Sequence, residues 1–312
     1  MIALQLDKPE MFSRLWKWVK TYMTVPKGHE NEGYFIWSCA PNGQANSDGP
    51  APDGEEYFAA ALLLAEKRWK IKEYGDEARI LLHAMVHKGE NQDGYPMFEP
   101  ENTYIKFVAH LHMTDPSYHL PHFYQLYAKY GNPEDSNFFL KAEEEARKFW
   151  LKSANATTGL TPEYADYEGE PYDIDGHWTF FSDAYRTVAN IGLDWLWEHQ
   201  EIGQSQIAVN IQKFFEPYLE NDEEIPVFKN DGQPLRKEEQ TMEGFPPLKV
   251  HHPLGLWSTL AQASLVTNEF DSTVALKYLK YFWNLKLRRG KYRYYDNLLY
   301  FFTLLTLSLI HI

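Results

Sequence analysis

Apolar residues recur along this 312-residue chain mainly at the three-to-four-residue spacing of amphipathic helices, and strand-like alternation is scarce. The opening residues 1–6 read as the middle of a helix, because no capping residue precedes them. The helical runs that the pattern predicts lie near 9–23, 53–69, 75–87, 117–129, 134–151, 181–199, 204–218, 253–265, 270–284 and 294–308. The periodicity therefore predicts an all-α protein.

The connections between these runs alternate between short turns and long loops. The long ones span 25–52, 88–116, 158–180 and 219–252 and are rich in Gly, Pro, Asn, Asp and aromatic residues. Long loops in a compact domain are usually functional. With no linker, low-complexity segment or repeat visible, we predict one domain over residues 1–312, a toroid of helical hairpins with its long loops on one face.

Charge and composition narrow the class of partner. Thirty Lys and Arg against 44 Asp and Glu give a formal charge of −14, which disfavours nucleic acid and membrane partners and suits a neutral ligand. The single cysteine, Cys39, excludes an internal disulfide framework. It fits either a reducing compartment or a secreted protein without disulfides, and we expect a bacterial cytoplasmic monomer. The 10 Trp, 21 Tyr and 19 Phe are more than a core requires and are typical of a carbohydrate cleft, where sugar faces stack on flat rings.

Asp183 stands out because of its immediate neighbours. Phe180 and Phe181 precede it and Arg186 follows one turn later. A carboxylate beside aromatic surface with a cation in reach can be held ionised and oriented as a general base. The alternative is that Ser182 or Asp183 caps the helix that begins here.

A second acidic segment is Gly49–Phe58, in which Asp53 is predicted to start a helix with Glu55 and Glu56 in its first turn. These acids either complement the helix dipole or belong to a site beside Tyr57. Upstream, Trp37 lies in an aromatic segment that could be a stacking platform or ordinary core.

His119 and His122, three residues apart, could bind a metal ion, but no third ligand stands at a helix-compatible spacing. We therefore predict no metal and no cofactor, and expect polar contacts of these histidines to a ligand or to neighbouring loops. The chain has no Gly-rich phosphate loop, Gly-x-Ser-x-Gly elbow or paired-Cys motif, so nucleotide binding and Ser or Cys nucleophile chemistry lack their signals.

Several of these segments together resemble glycoside hydrolase family 8, and within it the reducing-end xylose-releasing exo-oligoxylanases. The matching segments are Trp37–Cys39, Gly49–Phe58, Asp115–Phe123, Pro162–Tyr164, Phe180–Asp194, His252–Leu256 and Arg293–Asn297. The resemblance implies an (α/α)6 barrel and hydrolysis of β-1,4 linkages in xylo-oligosaccharides with inversion.

The resemblance also implies roles for single residues. Asp183 is similar to the general base, and Asp53 to the carboxylate of the cleavage subsite. Trp37 resembles a stacking platform, and His252 resembles the histidine that closes the cleft beyond the first leaving-group subsite, which implies exo action. The substrate-binding residues implied in this way are Trp37, Glu55, Tyr118, His119, Tyr164, Arg186, His252 and Tyr295.

One departure from the family pattern concerns the general acid. The family supplies it from a Glu-Gly-x-x-Tyr-Gly-Met stretch just upstream of the segment that residues 1–4 match, and no Glu of this sequence has that context. We therefore expect a fragment that lacks the first barrel helices and is inactive or nearly so, since general acid catalysis is typically worth ~10²–10⁴-fold. The end of the chain, residues 307–312, reads like one frame of a common sequencing adaptor and favours truncation there too.

Three alternatives remain open. The first is a non-catalytic protein that binds xylo-oligosaccharides, and the second is another β-1,4-glycanase of the family, such as an endo-xylanase, cellulase or chitosanase. The third is a lyase or epimerase on a similar helical fold. Lyases act on uronates and need a basic cleft, so the charge of −14 argues against the third.

Overall fold

A computed structural model describes residues 1–91, 93–219 and 224–308, and within them the backbone is mostly helical. Extended backbone in this part of the chain is confined to isolated bridges between loop residues. The α-helices are α1 (Ile2–Gln5), α2 (Pro9–Tyr22), α3 (Pro52–Trp69), α4 (Lys72–His87), α5 (Pro121–Tyr130), α6 (Ser136–Ser153), α7 (Tyr185–Glu198), α8 (Gln204–Phe215), α9 (Pro253–Gln262), α10 (Ser264–Phe270), α11 (Ser272–Phe282) and α12 (Arg293–Leu307). The all-α prediction is confirmed. None of the helices in these ranges has the length and apolar character needed to cross a membrane.

The predicted helix over 117–129 is interrupted near its start. Pro116–Tyr118 forms a 3-10 turn, His119 is extended with φ −70° and ψ 114°, and α5 begins only at Pro121. Proline disfavours the helical conformation of the residue before it, here Leu120. The interruption lets the segment turn between the two prolines.

The predicted helix over 181–199 also starts later than its apolar pattern suggests. Ser182–Ala184 is a 3-10 turn with Ser182 in the left-handed region at φ 40°, and α7 follows from Tyr185. No side chain caps the start of either element. The alternative that Ser182 or Asp183 acts as a helix cap is therefore wrong, which leaves the Asp183 carboxylate available for other contacts.

The last predicted helices are confirmed with shifted bounds. The run predicted over 253–265 ends as α9, with Ala263 linking it to α10, and α11 is capped by the Asp271 side chain, which accepts the Val274 N–H. The prediction of a C-terminal truncation rests on residues 307–312. Of these, residues 309–312 lie outside the described residues.

The described residues cluster into two compact units. The first comprises residues 1–112 and 123–145, and the second comprises 113–122 together with the described residues from 146 onward. A single domain over the whole chain stays a prediction.

In the first unit, α3 and α4 pack closely because the facing positions are small. Ala59, Ala60 and Ala78 are fully buried, and a Cβ at Gly75 would lie 2.2 Å from the Glu66 carboxylate. The loop before α3 is fixed by the buried Tyr34, whose hydroxyl donates to backbone carbonyls of the same unit.

The second unit has an aromatic core that supports the start of α7. Phe180 packs against Tyr185 and Phe215 with ring centroids 5.1 and 5.7 Å apart. Further along, α7 crosses the end of α9 so closely that a Cβ at Gly192 would lie 2.6 Å from the carbonyl oxygen of Gln262. These contacts fix the turn that contains Asp183 at the start of α7.

Candidate active site

The Asp183 carboxylate is held by two side chains on one of its oxygens. An Arg186 guanidinium nitrogen lies 3.3 Å from Oδ1, and the Tyr295 hydroxyl donates to the same oxygen at 3.2 Å and to the Ser182 carbonyl at 3.0 Å. Burial and then the negative charge of Asp183 raise the pKa of Tyr295 well above its usual range, so this hydroxyl remains a donor. The Asp183 side chain is 28 % exposed. Its orientation is therefore fixed while part of the carboxylate faces solvent.

Arg186 also approaches a second, fully buried carboxylate. Its guanidinium lies 3.7 Å from Asp115 Oδ2 and 5.4 Å from the centre of the Tyr118 ring. Burial raises the pKa of Asp115 well above its usual range against the opposing effect of Arg186. Asp115 therefore retains its proton more readily than an exposed aspartate does.

Local backbone contacts place Asp115 beside Arg186. Its Oδ1 accepts the Ser117 N–H at 2.6 Å, as expected for an aspartate that opens a turn. The turn itself is bound from two helices of the same unit, by Trp150 Nε1 to the Pro116 carbonyl at 3.1 Å and by Asn190 Nδ2 to the Ser117 carbonyl at 2.7 Å. Asn190 lies on α7, the helix that Asp183 precedes, so the two carboxylates share a support.

Glu163 lies behind the Asp183 backbone. Its Oε1 accepts the Asp183 N–H at 3.3 Å, and His177 Nδ1 lies 2.8 Å from its Oε2. The loop brings them together by pairing with itself, since the Glu163 N–H donates to the Thr179 carbonyl at 2.9 Å. Burial raises the pKa of Glu163 to about 7, and the Glu163 carboxylate raises the pKa of His177 despite its burial. A titrating pair thus contacts the turn that carries Asp183.

We expect Glu163→Gln to flatten the pH dependence of stability. With a folded pKa of about 7 against an ordinary 4.5, the native state keeps a proton that the unfolded chain releases. The resulting stability is complete below pH 4.5 and is lost as the pH rises through 7, and it amounts to about 3 kcal/mol. Urea unfolding between pH 4.5 and 7.5 measures this difference. The matched control is Glu168→Gln, because Glu168 is an exposed carboxylate of the same loop. Parallel profiles of unfolding free energy against pH for wild type and Glu163→Gln would contradict the prediction.

His252 lies on the other side of Tyr295. Its ring centroid is 4.8 Å from that of Tyr295, and its Nδ1 is 3.7 Å from Oδ2 of the buried Asp296. Asp296 also accepts the Gly255 N–H at 2.7 Å and pairs with the Arg288 guanidinium. The segment that precedes α9 is therefore fixed to the start of α12, and His252 is held at the edge of the Asp183 environment.

Two other predicted residues, His119 and Tyr164, are buried in the second unit. The His119 ring stacks on Phe149 at 4.5 Å and its Nε2 lies 3.0 Å from the Thr114 hydroxyl. Burial lowers the pKa of His119 and of His122 to about 3, so both rings are neutral. Tyr164 stacks on His177 at 4.8 Å. These contacts support a role in building the site, and direct contact of these residues with substrate stays a prediction.

The first unit carries the other predicted residues. Asp53 is partly exposed in the first turn of α3 behind Pro52, and Trp37 is 65 % exposed, as a stacking platform requires. Glu55 is buried and accepts the Phe35 N–H at 2.8 Å, and burial raises its pKa well above the usual range. Glu55 therefore fixes the loop that carries Trp37, and its direct contact with substrate stays a prediction.

Sequence reasoning missed four residues around Asp183 and Tyr295. They are Asp115, Glu163, His177 and Asp296. Asp115, Glu163 and Asp296 lie in segments that the family resemblance covers but were not assigned to the site, and His177 lies in the long loop over 158–180. The partnerships depend on tertiary contacts that no local spacing reveals.

The arrangement in the second unit can do the work of a general base. Oδ1 of Asp183 is occupied by Arg186 and Tyr295, and the part of the carboxylate facing solvent can accept a proton from water. Among the described residues, the group whose spacing suits a metal ion belongs to the first unit and includes neither His119 nor His122.

Comparison with known proteins gives a consistent result over nearly the whole chain. The chain is 44 % identical over 318 residues to the reducing-end xylose-releasing exo-oligoxylanase Rex8A of Paenibacillus barcinonensis, covering 99 % of this chain and 78 % of that protein. It is 42 % identical over 313 residues to the reducing end xylose-releasing exo-oligoxylanase of Halalkalibacterium halodurans, covering 99 % and 76 %. The solved structure of Rex8A complexed with xylose superposes with a TM-score of 0.90 at 42 % identity, over 99 % of this chain and 80 % of that one.

These likenesses confirm the resemblance and the (α/α)6 fold class predicted from the sequence. Residues 1–231 match the family described as glycosyl hydrolases family 8. The chain therefore belongs to glycosyl hydrolase family 8 and is a glycoside hydrolase.

Proposed function

We propose that the enzyme hydrolyses β-1,4-linked xylo-oligosaccharides with inversion and releases xylose from the reducing end. The observation that supports this most directly is the Asp183 carboxylate, held on one oxygen by Arg186 and Tyr295 while it remains partly open to solvent. The names of the two curated relatives supply the substrate class and the end of the chain that is cut.

In this mechanism Asp183 is the general base. A water molecule bound to the open side of the carboxylate transfers a proton to it while the water oxygen attacks the anomeric carbon from the face opposite the leaving sugar. Arg186 and Tyr295 both contact Oδ1, and in this proposal Oδ2 is the oxygen that accepts the proton of the water. The bond from the anomeric carbon to the leaving oxygen breaks at the same time, which inverts the configuration.

The other predicted residues are proposed as parts of the substrate cleft. The exposed Trp37 ring offers a face for a xylose unit on the non-reducing side, and Asp53 offers a carboxylate to sugar hydroxyls at the cleavage subsite. His252, fixed between Tyr295 and Asp296, is proposed to limit the leaving-group side to one sugar. Such a limit accounts for exo action.

The leaving oxygen needs a proton from a general acid. No Glu of residues 1–312 stands in the family's Glu-Gly-x-x-Tyr-Gly-Met context. We therefore propose that residues 1–312 alone turn over substrate slowly.

Xylotriose labelled at its reducing-end sugar tests the proposed function. With protein from the full reading frame, we expect the label to appear in free xylose, with xylobiose as the unlabelled product. Proton NMR of the first products should show the α-anomer at the new reducing end, because the substrate linkage is β.

Each other outcome identifies an alternative. Label in xylobiose would mean cleavage from the non-reducing end, and rapid hydrolysis of long xylan, cellulose or chitosan would mean an endo-acting glycanase. Calorimetric binding of xylotriose by a folded protein without turnover would identify a non-catalytic binder. Each of these results would overturn the proposal.

A further inference from the structure

Two histidines lie side by side in the C-terminal half of α4 in the first unit. His83 and His87 are four residues apart, which places them on the same face of the helix, and their ring centroids are 4.6 Å apart. Asp135, which ends the 3-10 turn Pro133–Asp135 before α6, meets them there. One ligand atom from each of the three residues lies within 4.8 Å of those of the other two.

The contacts around these three side chains orient them for a metal ion. His87 Nε2 lies 2.6 Å from Asp135 Oδ1, and the other ring nitrogen, Nδ1, lies 2.8 Å from Glu90 Oε1. Asn132 Nδ2 donates to Asp135 Oδ2 at 3.4 Å. A carboxylate on the far nitrogen of a histidine and a donor on the far oxygen of an aspartate are what usually orient metal ligands.

We propose that His83, His87 and Asp135 bind a divalent transition-metal ion of the Zn²⁺ type, with water completing the coordination. Two imidazole nitrogens and one carboxylate oxygen suit Zn²⁺ better than Ca²⁺ or Mg²⁺, which prefer oxygen ligands throughout. Bonds of 2.0–2.2 Å in a tetrahedral site place ligand atoms about 3.4 Å apart. His87 Nε2 and Asp135 Oδ1 must therefore separate by about 0.8 Å, and the His83 side chain is exposed and thus free of close packing that would oppose its adjustment.

The position of the site indicates its effect. His83 and His87 lie on α4, whereas Asp135 lies in the turn between α5 and α6. A bound ion would therefore connect two segments separated by 48 residues in sequence between His87 and Asp135. Since the unfolded chain cannot hold these ligands together, binding stabilises the native state. The site is structural and is independent of the proposed catalytic role of Asp183.

Tag-free protein from the full reading frame provides the test, with Zn²⁺ alone and Co²⁺ alone as probes. We expect one Zn²⁺ ion bound per chain by calorimetry, a melting temperature that rises with Zn²⁺, and the visible absorption of four-coordinate Co²⁺. His83→Ala should weaken Zn²⁺ binding by more than about tenfold and remove the Co²⁺ band. His83 is exposed on a helix and alanine is a good helix former, so this variant should fold.

His110→Ala is the matched control, because His110 is also exposed in the first unit but lies outside the cluster. It should keep wild-type affinity, stoichiometry and Co²⁺ spectrum. If the wild type binds no ion, or if His83→Ala binds as tightly as His110→Ala, the proposal is overturned and the contact of His87 with its two carboxylates is only a hydrogen-bonding arrangement.

Discussion

Asp183→Asn is expected to lower kcat on xylotriose by ~10²–10⁴-fold, because the amide cannot accept a proton from the attacking water. The substitution preserves the shape of the side chain, and its amide oxygen can still accept the hydrogen bonds from Arg186 and Tyr295 that Oδ1 now receives. Substrate binding, measured by calorimetry, should therefore change little while turnover is lost. Steady-state kinetics on the enzyme from its full reading frame gives both kcat and KM.

The matched control for this change is Asp175→Asn. Asp175 is exposed in the loop that precedes Asp183, and its φ of 53° is one that asparagine tolerates well. The control removes one negative charge from the same region without touching the carboxylate that faces solvent, so activity should stay near that of the wild type. Equal activity of Asp183→Asn and wild type would show that another group takes the proton. A comparable loss in both variants would point to a general effect of charge.

The helical fold could be predicted from the sequence because amphipathic periodicity is a local property. The bounds of α2, α3 and α8 follow their apolar patterns within a few residues. Two predicted helices start too early, because the backbone near their starts is not helical. One is interrupted before Pro121, and the other before α7, where Ser182 has a left-handed conformation. Both errors fall at turns of the candidate site, where backbone conformation departs from regular helix.

The candidate site was predictable only as far as its residues are neighbours in sequence. Arg186 lies three residues after Asp183, so a side-chain contact could be expected once a helix was inferred. Tyr295 is 112 residues from Asp183, and Glu163 is 20 residues away in an irregular loop. Hydrophobic periodicity does not predict contacts between residues so far apart in sequence. Tyr295 was predicted as a site residue only because of the resemblance to a known family.

Because sequence spacing does not reveal long-range contacts, it also drew attention to one histidine pair as a candidate metal site and not to the other. His119 and His122 attracted attention because proline and aromatic residues surround them, yet both are buried and neutral. His83 and His87 stand at a better spacing for a metal in an ordinary amphipathic helix. Their third partner, Asp135, comes 48 residues after His87 and is found only in the folded chain.

The second large effect concerns the helix that follows Asp183. On α7, Asp194 forms a two-pronged ion pair with Arg147 of α6, with N–O distances of 2.8 and 2.8 Å, and both side chains are almost completely buried. Burial raises the pKa of Asp194 in spite of the arginine, so the carboxylate depends on its partner to remain charged. The pair thereby connects α6 to α7, the helix that follows the candidate base.

Arg147→Met is expected to lower the free energy of unfolding by about 3–5 kcal/mol, because it leaves the Asp194 carboxylate buried without a counter-charge. The loss should be smaller at pH 5 than at pH 8, since Asp194 can take up a proton more readily at the lower pH. Urea unfolding at the two pH values measures both effects. Lys213→Met, which removes an exposed cation from a surface ion pair of the same unit, should cost at most about 1 kcal/mol.

The double variant Arg147→Met with Asp194→Leu distinguishes two contributions to stability. One is the cost of leaving the Asp194 carboxylate unpaired, and the other is the net stabilisation by the ion pair. Replacing both members by apolar side chains removes the unpaired charge, so much of the stability lost in the single variant should return. A double variant less stable than Arg147→Met alone would contradict this account, because it would mean that Asp194 stabilises the fold without its arginine. A stable double variant with reduced kcat would instead show that the pair serves to align α7, and with it Asp183, rather than to hold the unit together.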